Sequence, residues 1–286
     1  MKSVNQPLLF EMIRSFVTLA RTLNLSRAVE EMATTRQTMR RHIEALEAAM
    51  GVQLFEVVDR RYQLTPEGAR ALPSAQSIQA QGRLWLQGDL SEVDGMMRMS
   101  YDDGDGWHFF IQKQKISTVW NCGSDLLQAA LKAWAAAGGE LENPAMEAVR
   151  PYVLVYRDTP AGWLCSEVGE KSFFRKWWGR TEALSSVGRP LDQFPGGPEV
   201  ASIMKLPFVE VQSTQGIRLD QVSTLLPRGV GGAATPIVFN RLLMAARLPD
   251  GSFVLVVVVD RANQLLIDGL DESVLEQIPD DVILDF

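Results

Sequence analysis

The stretch "TTRQTMRRHIEALEAAMGVQLFE", residues 34–56, decides the fold at the front of this 286-residue chain. Apolar residues recur in it every three or four positions, which predicts a helix with one buried face. These residues are Met39, Ile43, Leu46 and Met50. Gly51 follows at once, as is typical of a residue that ends a helix. Thr34 is predicted to cap the start of the helix, with Gln37 completing a capping box.

The opposite face of this helix is basic, although the whole chain carries a net charge of −7. Basic side chains at a helix start oppose the helix dipole, which indicates a purpose other than stability. Arginine can grip guanine edges, glutamine can pair with adenine, and threonine can touch phosphate or a thymine methyl. The residues predicted to contact DNA here are Thr34, Thr35, Arg36, Gln37, Thr38, Arg40 and Arg41. The alternative interpretation is that the arginines only solubilise an exposed face.

Helices and a small hairpin are predicted around this basic helix. One helix is predicted over residues 8–23, and Asn24 is predicted to cap a short second helix. After the basic helix, residues 52–64 predict two strands joined by a charged turn. Arg60 and Arg61 lie at the tip of that turn, where phosphate contacts are expected. Thr65 is predicted to cap a further helix, with Pro66 at its first position.

Residues 8–90 resemble the winged helix-turn-helix domain of LysR-type transcriptional regulators. The matching positions are Phe16, Ala28, Ile43, Leu46, Glu47, Gly51, Leu54, Phe55, Leu64, Thr65 and Gly68. The resemblance implies that the basic helix is a recognition helix and that the helix after Thr65 links the subunits of a dimer or tetramer. Thr35-Arg36-Gln37 stands where family members usually have Ser-Gln-Pro, which changes the expected operator sequence. Pro73 predicts that the linker helix is kinked or broken.

Charge and composition differ between the front and the rest of the chain. Residues 1–90 hold 11 Lys and Arg against 9 Asp and Glu, or +2, and residues 91–286 hold 17 against 26, or −9. Two cysteines predict neither a disulfide framework nor a zinc site. No apolar run is long enough to span a bilayer. The composition therefore predicts a cytoplasmic protein without a membrane partner.

The remaining two hundred residues predict neighbouring strands joined by tight turns, which is typical of an antiparallel sheet. The predicted strands cover 96–101, 107–115, 151–158, 162–169 and the two arms of a hairpin over 239–261, with 208–216 as a strand or a helix–strand junction. Helices are predicted over 124–140 and 171–180. The predicted fold class is α+β: a winged helix-turn-helix over 1–64, a linker helix over 65–94 and an α+β regulatory domain over 95–286.

Residues 145–262 resemble a PAS-type sensor domain, in which a strand pair is followed by small helices and then by long antiparallel strands. An aromatic cluster in this segment is predicted to wall an apolar cavity that holds a ligand. Its members are Trp163, Phe173, Trp177 and Trp178. The alternative interpretation is that these rings only fill the core.

No constellation of catalytic or metal-binding residues is evident in the sequence. The two histidines, His42 and His108, allow neither a His-based triad nor a metal cluster. The chain is therefore predicted to be no enzyme and to need no cofactor or metal. The leading hypothesis is a DNA-binding transcriptional regulator whose expected partners are double-stranded DNA, further copies of the chain, a small-molecule effector and RNA polymerase. The alternative is a protein-interaction regulator that keeps the helix-turn-helix only as a dimer scaffold.

Overall fold

The computed structural model describes residues 9–58, 61–87, 89–102, 108–159, 162–193, 197–227, 232–279 and 286. The chain divides into two compact units, Met1–Arg83 and Leu84–Phe286. The division falls inside the fourth helix. The domain boundaries predicted above, after residues 64 and 94, lie on either side of it.

The first unit consists of three helices, a two-stranded antiparallel hairpin and a long fourth helix. Its elements are α1 (Leu9–Thr22), α2 (Leu25–Glu31), α3 (Arg36–Met50), β1 (Phe55–Val58), β2 (Arg61–Leu64) and α4 (Pro66–Gln87). Asn24 caps α2 by accepting hydrogen bonds from the backbone of Ser26 and Arg27, as predicted. Gly51 ends α3 with a left-handed φ of 71°, which glycine adopts without strain.

The core of the first unit forms where the apolar faces of α1, α2 and α3 meet. Met39, Ile43 and Leu46 of α3 are buried in it, as predicted. Met50 is 46% exposed, so its predicted place in the buried face is wrong. The helical period is correct, but the last turn of α3 contributes no residue to this core cluster.

Helix α4 continues through Pro73, so of the two predicted alternatives, a kink or a break, the break is wrong. Proline removes one hydrogen bond from a helix and crowds the preceding turn. Here Ala71, Leu72 and Ala75, on both sides of the proline, pack against the core of the first unit. Burial of this apolar surface offsets the lost hydrogen bond, a gain that local sequence does not reveal.

Gly68, in the first turn of α4, lies against the backbone that precedes the hairpin. A Cβ atom at this position would stand 2.1 Å from the carbonyl oxygen of Leu54. We therefore expect Gly68→Ala to lower the free energy of unfolding of the first unit by about 1–3 kcal/mol, because the backbone must shift. The denaturant dependence of amide hydrogen exchange in α1 and α3 measures this loss.

Gly82→Ala, in the same helix, is the matched control for Gly68→Ala. Its added Cβ would meet only the ring edge of Phe10, at 2.7 Å, and a ring can turn away where a carbonyl cannot. Alanine otherwise favours a helix interior over glycine by about 1 kcal/mol. Equal losses of stability in Gly68→Ala and Gly82→Ala would show that the clash with the backbone carbonyl of Leu54 is not the cause.

The second unit is built on one eight-stranded sheet in which every pair of neighbours is antiparallel. Its strands are β3 (Leu90–Val93), β4 (Met96–Asp102), β5 (His108–Gln114), β6 (Val153–Thr159), β7 (Gly162–Val168), β8 (Ile217–Pro227), β9 (Ala234–Arg247) and β10 (Phe253–Arg261). They lie in the order β3-β4-β5-β8-β9-β10-β6-β7. The predicted mixture of helices with an antiparallel sheet is therefore confirmed.

The helices of the second unit are α5 (Asp125–Ala136), α6 (Phe173–Trp178), α7 (Arg180–Ser185), α8 (Gly197–Thr214) and α9 (Ser273–Glu276). Side chains of β10 alternate between the two faces of the sheet. Val256 and Val258 join the core cluster that includes α5, whereas Val257 and Val259 line a cavity together with residues of α6 and α8. Both faces are buried, which explains the unbroken apolar run in this central strand.

Two parts of the second unit differ from a simple strand pattern. Of the two alternatives predicted for residues 208–216, the strand is wrong and the helix–strand junction agrees with the structure, because α8 ends at Thr214 and β8 begins at Ile217. Strand β8 was not predicted, because Arg218, Asp220 and Gln221 are polar yet buried. Burial of ion pairs removes the alternation of apolar and polar residues by which a strand is recognised.

Candidate nucleic-acid interface and the cavity of the second unit

Helix α3 begins one residue later than predicted, and Thr35 is its cap in place of Thr34. The Thr35 hydroxyl accepts a hydrogen bond of 3.1 Å from the backbone of Thr38. Thr34 lies in the turn between α2 and α3, where its backbone donates to the carbonyl of Val29. The predicted capping box with Gln37 is therefore wrong, and the Gln37 side chain is exposed on the helix surface.

Gln37, Arg40 and Arg41 are exposed on the side of α3 opposite its buried residues. Their spacing of three and four residues brings them together on one face. Within the described part of the chain, Arg40 and Arg41 have no recorded hydrogen bond or ion pair. Two cations and an amide therefore face outwards at the start of this helix.

Arg36 is held by a neighbouring helix. Its guanidinium donates a hydrogen bond of 2.8 Å to the hydroxyl of Ser26 in α2. Ser26, which the sequence did not single out, thus orients one of the predicted contact residues. Thr38, half-buried beside the Thr35 cap, is oriented by a hydroxyl contact of 2.9 Å.

The hairpin β1–β2 corresponds to the predicted wing. Val58 pairs with Arg61, which is exposed at the start of β2. Asp59 and the predicted contact residue Arg60 lie outside the described residues. The predicted cap Thr65 accepts a hydrogen bond from the backbone of Gly68 at the start of α4.

Glu47 joins α3 to the wing. Its carboxylate accepts hydrogen bonds of 2.7 and 3.1 Å from the backbone of Leu54 and Phe55. The ring of Phe55 packs edge-on against Phe16 of α1 and Tyr62 of β2. The orientation of the wing relative to α3 therefore depends on one carboxylate and a small aromatic cluster.

His42 lies in α3 but faces the core of the first unit. Its Nδ1 is 2.8 Å from the hydroxyl of Ser15 in α1, which is fully buried. Burial, and secondarily the charge of Arg41, lowers the pKa of His42 below its usual value, against a weaker opposing effect of Glu11. The neutral ring is therefore the form that stabilises the contact between α1 and α3.

We expect the stability of the first unit to decrease as the pH falls from about 7.5 to about 5.5, through the ordinary histidine pKa of about 6.5. The pKa of His42 is depressed in the folded state, so its contribution is complete above the unfolded pKa and is lost as the ring must take up a proton. Hydrogen exchange in α1 and α3 measures the effect. His42→Gln is the control, and an identical pH dependence in this variant would contradict the assignment.

The second unit contains a cavity of about 120 Å³ between the sheet and the helices α6 and α8. Phe173, Trp177 and Trp178, three of the four predicted ligand residues, line it. Trp163 does not; its ring packs edge-on against Phe208 and Phe253 in the core. Sequence reasoning missed Arg241, which also lines the cavity and is only 1% exposed.

Cys165 and His108 lie among neighbours that do not activate them for catalysis. Burial raises the pKa of the Cys165 thiol to about 12, so this cysteine stays protonated. His108 is half-buried, and its ring stacks near that of Phe110. No cluster of three metal-ligating side chains occurs among the described residues. Within the same residues, no helix has both the length and the apolar character that a membrane span requires.

Comparison with known proteins gives matches of limited length. Residues 10–69 match the profile of the bacterial regulatory helix-turn-helix protein, lysR family. A probable hydrogen peroxide-inducible genes activator of Mycobacterium avium is 39% identical over 66 residues, or 23% of this chain and 21% of that protein. The HTH-type transcriptional activator AllS of Klebsiella pneumoniae is 37% identical over 95 residues, or 31% and 33% of the two chains.

Among solved structures, the CbnR_DBD–DNA complex matches with 29% identity and a TM-score of 0.26, covering 28% of this chain and 92% of that one. This chain thus spans about a fifth to a third of the length of the two relatives above. Both relatives are named as activators. The relationship covers one segment of the chain: residues 10–69 are similar to the helix-turn-helix of the lysR family of bacterial regulatory proteins.

Proposed function

We propose that this protein is a transcriptional regulator that binds double-stranded DNA through the exposed face of α3. The observation that carries the proposal is the cluster of Gln37, Arg40 and Arg41, which are exposed beside one another at the start of a helix in a helix-turn-helix. Side chains of these types read base edges in the major groove. The similarity of residues 10–69 to a family of bacterial regulators supports the same function.

The remaining predicted contacts complete the proposed interface. The threonines at the helix start and the arginine of the wing are suited to phosphate, which positions a protein on DNA without reading sequence. The full proposed set is Thr34, Thr35, Arg36, Gln37, Thr38, Arg40, Arg41, Arg60 and Arg61. Because Arg36 is already bonded to Ser26, we expect it to contribute less to base reading than Arg40 and Arg41.

For the second unit we propose a sensor function of the PAS type. In support, the strand pair β6–β7 is followed by three helices, α6 to α8, and then by the three long antiparallel strands β8 to β10. The cavity beside α6 and α8 is the proposed effector site. An effector would act by binding more tightly to one arrangement of the assembly than to another.

The second candidate function is a protein-interaction regulator that does not bind DNA. Two observations favour it: the charge of −9 in residues 91–286, and the side chains of Trp85 and Leu86 in α4, which are 69% and 71% exposed. Exposed large apolar side chains are suited to a protein partner. Further copies of this chain, as a dimer or tetramer, and RNA polymerase are the proposed protein partners.

Fluorescence anisotropy on DNA from upstream of the gene, against scrambled DNA across a salt series, separates the two candidates. A regulator of the first kind is expected to prefer its own site by roughly a thousandfold or more, with affinity falling steeply as salt rises. Equal and weak binding to both DNAs would contradict DNA recognition. Co-purification of a protein partner would then favour the second candidate.

A further inference from the structure

The cavity of the second unit is mostly apolar. Aromatic and aliphatic side chains form most of its wall, including Phe173 and Trp177, and Tyr156 and Thr224 each bring a hydroxyl group. Arg241 of β9 brings a charge to the wall and is 1% exposed. A buried charge next to apolar walls is unfavourable unless it is paired and hydrogen-bonded.

The described hydrogen-bond partners leave Arg241 incompletely satisfied. Its Nη2 donates to the carboxylate of Asp220 at 2.7 Å, and its Nη1 lies 2.8 Å from the sulfur of Met204, a weak acceptor. Its Nε is buried and has no hydrogen-bond partner among the described residues. A buried N–H group without an acceptor destabilises the folded state.

The surrounding charges do not balance. Asp220 divides its carboxylate between Arg241 and Arg218, each at 2.7 Å. Glu210 also pairs with Arg218, but it shares its charge with Lys113 at the half-exposed end of the network. Among the described residues of this network, three cations thus face two carboxylates, an excess of one positive charge.

The same imbalance is reflected in the ionisation of Arg241. Burial lowers the pKa of its guanidinium, and the nearby carboxylate of Asp220 opposes this effect only in part. Arg218, which has two carboxylate partners, has a raised pKa despite similar burial. Of the two arginines, Arg241 is therefore the one whose charge is less completely balanced, since it shares its one carboxylate with Arg218, and it is the one that lines the cavity.

We propose that the cavity binds a small monocarboxylate with an apolar body about the size of one ring, whose carboxylate pairs with the guanidinium group of Arg241. The inference rests on the proposed sensor function of the second unit and names the class of effector. The single negative charge completes the network, and the apolar body fills the space between the sheet and the helices α6 and α8.

Size and charge together define this class. The cavity volume of about 120 Å³ is close to that of engineered protein cavities of about 150 Å³ that take up benzene. A dianion such as a phosphate monoester would exceed the one missing charge and would have to be dehydrated against apolar walls. A neutral compound or a water molecule would satisfy the N–H group but not the charge.

Calorimetric titration of the full-length chain with phenylacetate and with 2-phenylacetamide tests the proposal. The two probes have nearly the same shape and differ in charge. We expect phenylacetate to bind about tenfold more tightly or better, because a hydrogen bond to a charged group in a buried site is worth more than one to a neutral group. Equal affinities, a preference for the amide, or no binding of either probe would overturn the proposal.

Variants locate the binding site. Arg241→Met is expected to abolish the preference for the acid over the amide. Because this variant can fail to fold, Ala201→Leu provides a second test: Ala201 is buried in the cavity wall, and the larger leucine side chain takes up space there while Arg241 itself is kept. Ala130→Leu overpacks the other core cluster equally and is the matched control. Phenylacetate binding that survives Ala201→Leu would overturn the assignment to this cavity.

The titration contains no DNA, so its outcome is independent of DNA binding. A protein that recognises its operator but binds neither probe remains a regulator, and only the ligand class is wrong. A protein that binds phenylacetate in the cavity without any change in DNA affinity keeps the ligand site but loses the proposed sensor function.

Discussion

Replacing Arg40 and Arg41 together by alanine is expected to weaken binding to the operator by at least about thirtyfold. A contact between an arginine and a base edge contributes about 1–3 kcal/mol, and two such contacts are removed here. The fold is expected to survive, because both side chains are exposed on the side of α3 away from its core residues. Neither has a recorded partner among the described residues that the change would leave unpaired.

Anisotropy titrations on operator and scrambled DNA at several salt concentrations measure this loss. Loss of an arginine that reads a base weakens mainly the binding to operator DNA. Loss of an arginine that binds phosphate weakens binding to both DNAs and lowers the slope of log affinity against log salt concentration by about one. Arg70→Ala removes the same charge from the exposed surface of α4, where Arg70 pairs with Glu67, and is the matched control. Unchanged operator affinity in Arg40→Ala and Arg41→Ala would remove α3 from the proposed interface.

Asp220→Asn is expected to lower the free energy of unfolding of the second unit by about 3–5 kcal/mol. Its carboxylate is fully buried and is shared by Arg218 and Arg241, both 1% exposed at their side chains. Asparagine keeps the size of the side chain but removes the charge, which leaves two buried guanidinium groups with too little compensation. Breaking a buried ion pair from one side is destabilising by this amount.

Denaturant unfolding followed by tryptophan fluorescence measures the effect of Asp220→Asn. All seven tryptophans lie at or after position 85, so their signal reports the second unit. Glu142→Gln is the control, because it breaks an ion pair with Arg150 in which the Glu142 side chain is 54% exposed and is expected to change stability by less than about 1 kcal/mol. If Asp220→Asn loses no more stability than Glu142→Gln, the Asp220 carboxylate does not balance the charges of the two buried arginines.

Much of the first unit is predictable from its sequence because its signals are local. The spacing of Met39, Ile43 and Leu46 predicts α3, and Asn24 and Gly51 predict where helices begin and end. A kink or a break was predicted at Pro73, and a break does not occur because the opposing effect, packing of α4 against the core, arises from residues distant in sequence. The exchange of Thr34 for Thr35 as the cap of α3 is an error of one residue.

The residue types of the candidate interface were predictable from the sequence, but the hydrogen bonds that orient these side chains were not. Arg40 and Arg41 follow from the helical period, since a residue that is not on the buried face is exposed. The hydrogen bonds from Arg36 to Ser26, between His42 and Ser15, and from the wing to Glu47 join residues of different elements. No spacing rule within one element indicates such pairs.

In the second unit, likewise, a strand with a local sequence signal was predicted and a strand without one was missed. Apolar β10, in the hairpin over 239–261, was predicted, whereas β8 was missed because its charged residues pair with one another and with side chains of α8 and β9. Buried polar groups become recognisable only when their partners are known. The aromatic members of the cavity wall were predicted from composition, but Arg241 was not, since an arginine in a sequence is ordinarily exposed.

The sequence by itself determined the helix-turn-helix, the basic start of α3 and the antiparallel character of the second unit. Each of these depends on side-chain period, caps and turns, which act over a few residues. Only the tertiary structure decided the continuity of α4, the contacts that orient Arg36 and the wing, and the meeting of Arg218, Asp220 and Arg241 beside a cavity. These features depend on burial and charge pairing between residues far apart in the chain, and such energies exist only when the elements have packed together.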